Sequence, residues 1–127
     1  MGNPVLPQHT YGRQFQIFVE SDGAAAALRL SGEMDISSED TFAATVGACI
    51  ADGASEVLVD LSRLTFIDSS GLRMLIELWQ KSRKNGLDLS MVQGTGQVRR
   101  TMEIAGLDRL LPILDRGSSR SSGEDRR

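Results

Sequence analysis

The run Val57 to Arg83, VLVDLSRLTFIDSSGLRMLIELWQKSR, decides how the rest of the chain is read. Val57 to Leu61 is nearly all apolar, the character of a strand covered on both sides. A short connection follows, and Asp68-Ser69-Ser70-Gly71 stands where strand spacing gives way to helical spacing. Beyond it Leu72, Leu75, Ile76 and Trp79 recur at i, i+3, i+4 and i+7, the stripe of an amphipathic helix. Each such side chain contributes about 1.5–3 kcal/mol on burial, before entropy is set against it. Lys81, Arg83 and Lys84 complement the negative end of the helix dipole, and Asn85-Gly86 suits a left-handed C-cap. Leu87 to Val92 reads as the next strand, which makes the helix a right-handed parallel crossover.

Working outward toward the N-terminus, Phe42, Val46, Cys49 and Ile50 share one face of a helix. Ser37-Ser38-Glu39-Asp40 suits its start, and Ala51-Asp52-Gly53 its end. Gly32-Glu33-Met34-Asp35 closes the preceding run, Ala25 to Leu30, whose alanines suit helix or strand. Its shortness and flanking turn signals favour strand. Ser21-Asp22-Gly23 joins it to Phe15–Val19, FQIFV, rich in β-branched and aromatic types. Toward the C-terminus, Gly94-Thr95-Gly96 leads to a short helix carrying Val98, Met102, Ile104 and Ala105, stopped by Gly106. Those glycines lack the spacing and the lysine of a phosphate-binding loop, so they read as a turn. Leu110 to Leu114 is a last apolar segment, held by Pro112 to an edge or an irregular end.

The order strand, strand, helix, strand, helix, strand, helix, short terminal segment predicts an α/β fold on a single mixed sheet of four to five strands. Residues 13–115 are expected to form that one domain. Residues 1–12 read as a flexible leader holding the sole histidine, His9. Residues 116–127, RGSSRSSGEDRR, read as a disordered polar tail with solvated serines.

At 127 residues the chain suffices for one real core. A net charge of -3 argues against a general nucleic-acid binder and gives no reason to expect attraction to anionic lipid. One cysteine allows neither an internal disulfide nor a cysteine metal cluster, and Cys49 on its helical face reads as core. No apolar run is long enough to span a bilayer, and the first residues lack a signal peptide's pattern. Leu6 stands where a myristoylation signal wants Ser or Thr. The expectation is a cytoplasmic protein without membrane anchor, metal or cofactor. Asp60 interrupts the central strand; with no second acid close by to complete a metal cage, it reads as an alternate-face residue.

The serine turn carries two readings. Structurally, Asp68, Ser69 and Ser70 are all N-cap types, able to accept from the free N–H groups of the first helical turn. Functionally, a phosphate on Ser69 would add roughly -1.5 to -2 charges where the dipole and N–H groups favour an anion. Asp68, and Asp35 if the two turns adjoin, would oppose it, so the fold would tolerate the phosphate while a docked partner met new charge and bulk. Hydrolase chemistry does not fit. Ile67-Asp68-Ser69-Ser70-Gly71 lacks the first glycine of a nucleophile elbow, and the only imidazole lies in the leader.

LTFIDSSGL (Leu64 to Leu72) resembles the signature of bacterial anti-sigma factor antagonists of the STAS family. GEMD (Gly32 to Asp35) is similar to the family's G-E-(L/I)-D element, VLVDLSRL to its central strand, and IAGL (Ile104 to Leu107) to the end of its third helix. The resemblance spans about Phe15 to Leu114. It implies helices packed largely on one face of the sheet and a protein with no catalytic activity of its own. It also implies a cycle. The unphosphorylated antagonist binds an anti-sigma factor that is a serine kinase, which frees the sigma factor. The kinase then uses ATP to phosphorylate the serine after the motif aspartate, and a phosphatase resets the switch. By position the phosphoacceptor is Ser69, with Asp35 and Asp68 around it, Ser70 and Gly71 shaping the turn, and the partner surface formed by these residues and Arg73. Arg73 stands where the resemblance leads one to expect a small or apolar residue, and a cation just inside the helix bears on partner choice. The alternative is a non-enzymatic STAS module in a stress-signalling scaffold or lipid-transport complex, its serine mainly a helix cap.

Overall fold

The computed structural model describes residues 14–114; the expected leader, tail and outer domain limits lie outside the described residues. Four strands form one sheet in the order β1 (Gln16–Asp22), β2 (Ala25–Met34), β3 (Glu56–Ile67), β4 (Asp88–Val92). The first pair is antiparallel and the other two are parallel. The helices are α1 (Glu39–Ala51), α2 (Ser69–Asn85), α3 (Gly96–Ile104) and the single turn α4 (Leu107–Leu110), with one 3-10 turn at Ile36–Ser38. The chain after α4 returns to β4 through an isolated parallel bridge, Met91 to Ile113, which is the irregular end that Pro112 implies.

Alternation along the strands separates the two faces. Leu28, Leu30 and Met34 of β2, Val57, Val59 and Leu61 of β3, and Leu89 and Met91 of β4 are buried. They form one core with Phe42, Val46 and Cys49 of α1, Met74, Leu75 and Leu78 of α2, and Val98 and Met102 of α3. The helices therefore lie over one face. The other face is open: Phe18 is 63% exposed there, beside Arg29, which pairs with Glu20 and lies 3.8 Å from Asp60. Leu58 on this face is only half-buried, so β3 is not covered on both sides as its apolar run suggests. Asp60 is the alternate-face residue its position predicts.

Two further expectations change. The connection predicted after Leu61 is strand, because β3 runs unbroken to Ile67. Its buried residues are spaced by two through Leu61, then by three at Leu64 and Ile67, because the β2–β3 register shifts at two bulges. Backbone groups beside the irregularities are taken up locally: Ser62 N–H donates to Asp60 Oδ1 at 2.9 Å, and Thr65 Oγ1 donates to the Gly32 carbonyl at 3.1 Å. The second change is the α2 stripe. Gly71, Met74, Leu75, Leu78 and Ser82 face the core, while Leu72, Ile76 and Trp79 are its half-buried flank. The helix is turned toward Gly71, where it approaches the sheet closely. Likewise α1 leaves Ile50 partly exposed, and on α3 Ile104 is 80% exposed with Ala105 beyond the helix end.

Candidate functional site

The site begins with the way two parallel strands end. Met34 and Ile67 are paired, so Asp35 and Asp68, the next residues, leave the sheet side by side. Asp68 N–H donates to the Met34 carbonyl at 3.3 Å and ties the two exits together. Both aspartates hold extended backbone and start a helical segment. Asp35 Oδ1 accepts from Ser37 N–H at 3.0 Å and from the Ser37 hydroxyl. Its own N–H donates to Ser38 Oγ at 3.1 Å, and that buried hydroxyl donates to the Glu33 carbonyl. Asp68 Oδ1 accepts from Ser70 N–H at 2.9 Å and Gly71 N–H at 3.2 Å. Two N-termini thus open next to each other, each closed by a carboxylate that follows a strand.

Of the three N-cap candidates at the serine turn, Asp68 takes the role alone. Ser69 is the first residue of α2 and is exposed; among the described residues its hydroxyl has no hydrogen-bond partner. Ser70 is half-buried and contributes its N–H to Asp68. Gly71 acts by absence of a side chain rather than by turn geometry. A Cβ there would lie 2.6 Å from Ile67 Cγ1 and 3.0 Å from the Met34 carbonyl oxygen.

Arg73 lies one turn into α2. Its Nη1 is 3.3 Å from Glu39 Oε2 on α1 and 3.3 Å from Glu77 Oε2 on its own helix. The hydrogen bond to Glu39 first, and that to Glu77 next, raise the guanidinium pKa above its ordinary value. The residue that looked out of place in the sequence therefore spans the starts of both helices.

Gln97 has no counterpart in the sequence reading. Strand β4 stops at Val92, opposite Asp60, so the rest of β3 has no strand on that side. The Gln97 side chain of α3 takes the place of one. Its Nε2 donates to the Ile67 carbonyl at 2.9 Å and its Oε1 accepts from Ile67 N–H at 3.0 Å. This fixes the residue immediately before Asp68. Nothing in Gly94-Thr95-Gly96-Gln97 signals it; the role follows only from β4 being shorter than β3.

Among the described residues no group of three or more His, Cys, Asp or Glu could hold a metal ion, and no helix is long and apolar enough to cross a membrane. A hollow of about 410 Å³ lies on the open sheet face by Ala25, Glu56 and Asp88, at the opposite end of β3 from the serine turn. Burial first, and the Asp52 carboxylate next, push the Cys49 thiol up from its ordinary range, which suits a core residue.

Such a sheet, with helices on one face and paired aspartates beside an exposed serine at the strand ends, defines a small α/β domain. The STAS domain model matches residues 16–117, and the chain belongs to that family. It is 28% identical over 101 residues to an anti-sigma F factor antagonist of Paenibacillus polymyxa, covering 79% of this chain and 86% of the relative. The crystal structure of an anti-sigma factor antagonist from Mycobacterium paratuberculosis superposes with a TM-score of 0.68 at 28% identity, covering 79% and 85% of the two chains. The anti-sigma factor antagonist SpoIIAA in its unphosphorylated form shares the fold, with a TM-score of 0.64 at 19% identity over 82% of this chain and 90% of that one.

Proposed function

We propose that the chain is an anti-sigma factor antagonist. Unphosphorylated, it binds an anti-sigma factor that is itself a serine kinase, and so releases a sigma factor. Phosphorylation of Ser69 by that kinase ends the complex, and a phosphatase restores it. The observation that carries the reading is the state of Ser69: an exposed hydroxyl at the start of α2, left unengaged among the described residues because Asp68 already caps the helix. Membership of the STAS family and the names of the relatives support it.

On this reading the protein is a substrate and binding module, and ATP belongs to the partner. Asp35, Asp68, Ser70, Gly71 and Arg73 form the surface around the phosphoacceptor. A phosphate on Ser69 would sit at the positive end of the α2 dipole, where Asp68 already takes the Ser70 and Gly71 N–H groups, while Asp35 and Asp68 add to the negative charge a partner meets.

The test is a pull-down from native lysate with wild type, Ser69→Ala and Ser69→Glu as baits, read by mass spectrometry. An anti-sigma serine kinase should be captured by the first two and lost by the third. Equal capture of that kinase by Ser69→Glu would overturn the switch. Equal capture of a non-kinase subunit by all three would move the function to a scaffold held together away from the serine.

A further inference from the structure

We propose that Arg73 is an intramolecular latch for the phosphate: once Ser69 is phosphorylated, the guanidinium leaves Glu39 and pairs with the phosphoserine one turn back. The inference rests on the reading of Ser69 as the phosphoacceptor and concerns what this chain then does with the group.

Ser69 and Arg73 are the first and fifth residues of α2, an i, i+4 pair with Cβ atoms about 5–6 Å apart on one face. Helical side chains lean toward the N-terminus, so the Arg73 stem is directed at the turn that carries Ser69. The guanidinium now sits between Glu39 at the start of α1 and Glu77 one turn further along α2, so the exchange is a swing of the side chain back toward Ser69. Its other partner, Glu77, lies in the less favourable order, base before acid, whereas phosphoserine before arginine is the favourable one. A phosphate also brings more charge than a carboxylate and three acceptor oxygens, and the planar guanidinium can take two of them at once. Arg73, Glu39 and Glu77 are all substantially exposed, and pairs of that kind are weak, so little holds the arginine where it is.

The charges around the turn favour the same exchange. Asp35, Asp68, Glu39 and Glu77 are all acids, and the other cations of α2, Lys81, Arg83 and Lys84, lie three turns or more beyond Ser69. Arg73 is therefore the cation of α2 within a turn of the phosphate. In pairing with it, Arg73 releases Glu39 and undoes the tie between the starts of α1 and α2. The arriving group would then change the partner surface at two places, the serine itself and the uncovered Glu39.

The exchange is read on protein carrying phosphoserine at position 69 installed by semisynthesis, so that no kinase enters. A phosphorus NMR titration compares wild type with Arg73→Gln, Arg73→Lys and Glu39→Gln. The phosphate should lose its second proton below the usual value of about 6 in wild type. Arg73→Gln should raise that midpoint by about half a pH unit, and Glu39→Gln should lower it by freeing the arginine. Arg73→Lys, which keeps the charge without the fork, should fall between wild type and Arg73→Gln. A double-mutant cycle on thermal unfolding separates pairing from charge alone: Glu39–Arg73 coupling should be present before phosphorylation and absent after it. Equal midpoints in wild type and Arg73→Gln, or coupling unchanged by the phosphate, would remove the latch. Neither result bears on whether a kinase binds, which the pull-down decides by itself.

Discussion

Asp68 satisfies two of the four free N–H groups at the start of α2 with a single oxygen. Asp68→Ala should cost about 1 kcal/mol in urea unfolding, and Asp68→Asn only a small part of that. Gly71→Ala is the harsher change, since its methyl would meet Ile67 and the Met34 carbonyl at sub-contact distances. We expect a loss of about 1–3 kcal/mol, read as a drop in Tm. At this scale the sequence was informative about place and less so about division of labour. DSSG marks a helix start by residue type alone, but three cap-forming side chains in a row do not say which one turns inward. Backbone direction out of β3 decides it, and that depends on where the strand ends.

Strand ends were the harder matter. A spacing of two through Val57, Val59 and Leu61 reads as strand; a spacing of three at Leu64 and Ile67 does not, because bulges are set by the partner strand's register. The close of α2 was legible, by contrast, since Gly86 does adopt the left-handed conformation with φ of 73°. Gly86→Ala should cost about 1 kcal/mol by equilibrium unfolding. The α2 stripe was legible only to within a rotation of the helix: Leu75 belongs to both readings, but a glycine that faces the core carries no apolar signal. Gln97 was not legible at all. Gln97→Ala should leave the Ile67 N–H and carbonyl without partners, at about 1–3 kcal/mol. Amide exchange at Ile67 should accelerate more than at Val59, deep in the sheet, if the effect is local and not global.

Across the whole molecule, the α/β order and the mixed sheet follow from the alternation of strand and helix patterns, while the covering of one face comes from topology. The single core also sets a pH response. Cys49 holds its proton more tightly folded than unfolded, so its contribution is complete below the unfolded thiol's pKa, about 8.5, and fades as pH rises toward the folded value. Cys49→Ala should flatten the alkaline fall in unfolding midpoint, and the native thiol should react with alkylating reagents more slowly than the denatured chain.

The shortness of β4 reaches further than the serine turn. From Leu61 to Ile67 the outer side of β3 offers backbone groups to whatever comes near, and α3 is what covers them. Gly94 packs so tightly that a Cβ would sit 3.2 Å from the Leu61 carbonyl, and Gln97 occupies Ile67. An uncovered strand of this kind is a template for a second copy of the same chain. The short helix that steadies the serine turn therefore also covers this edge, and changes that loosen α3 should surface first as concentration-dependent self-association.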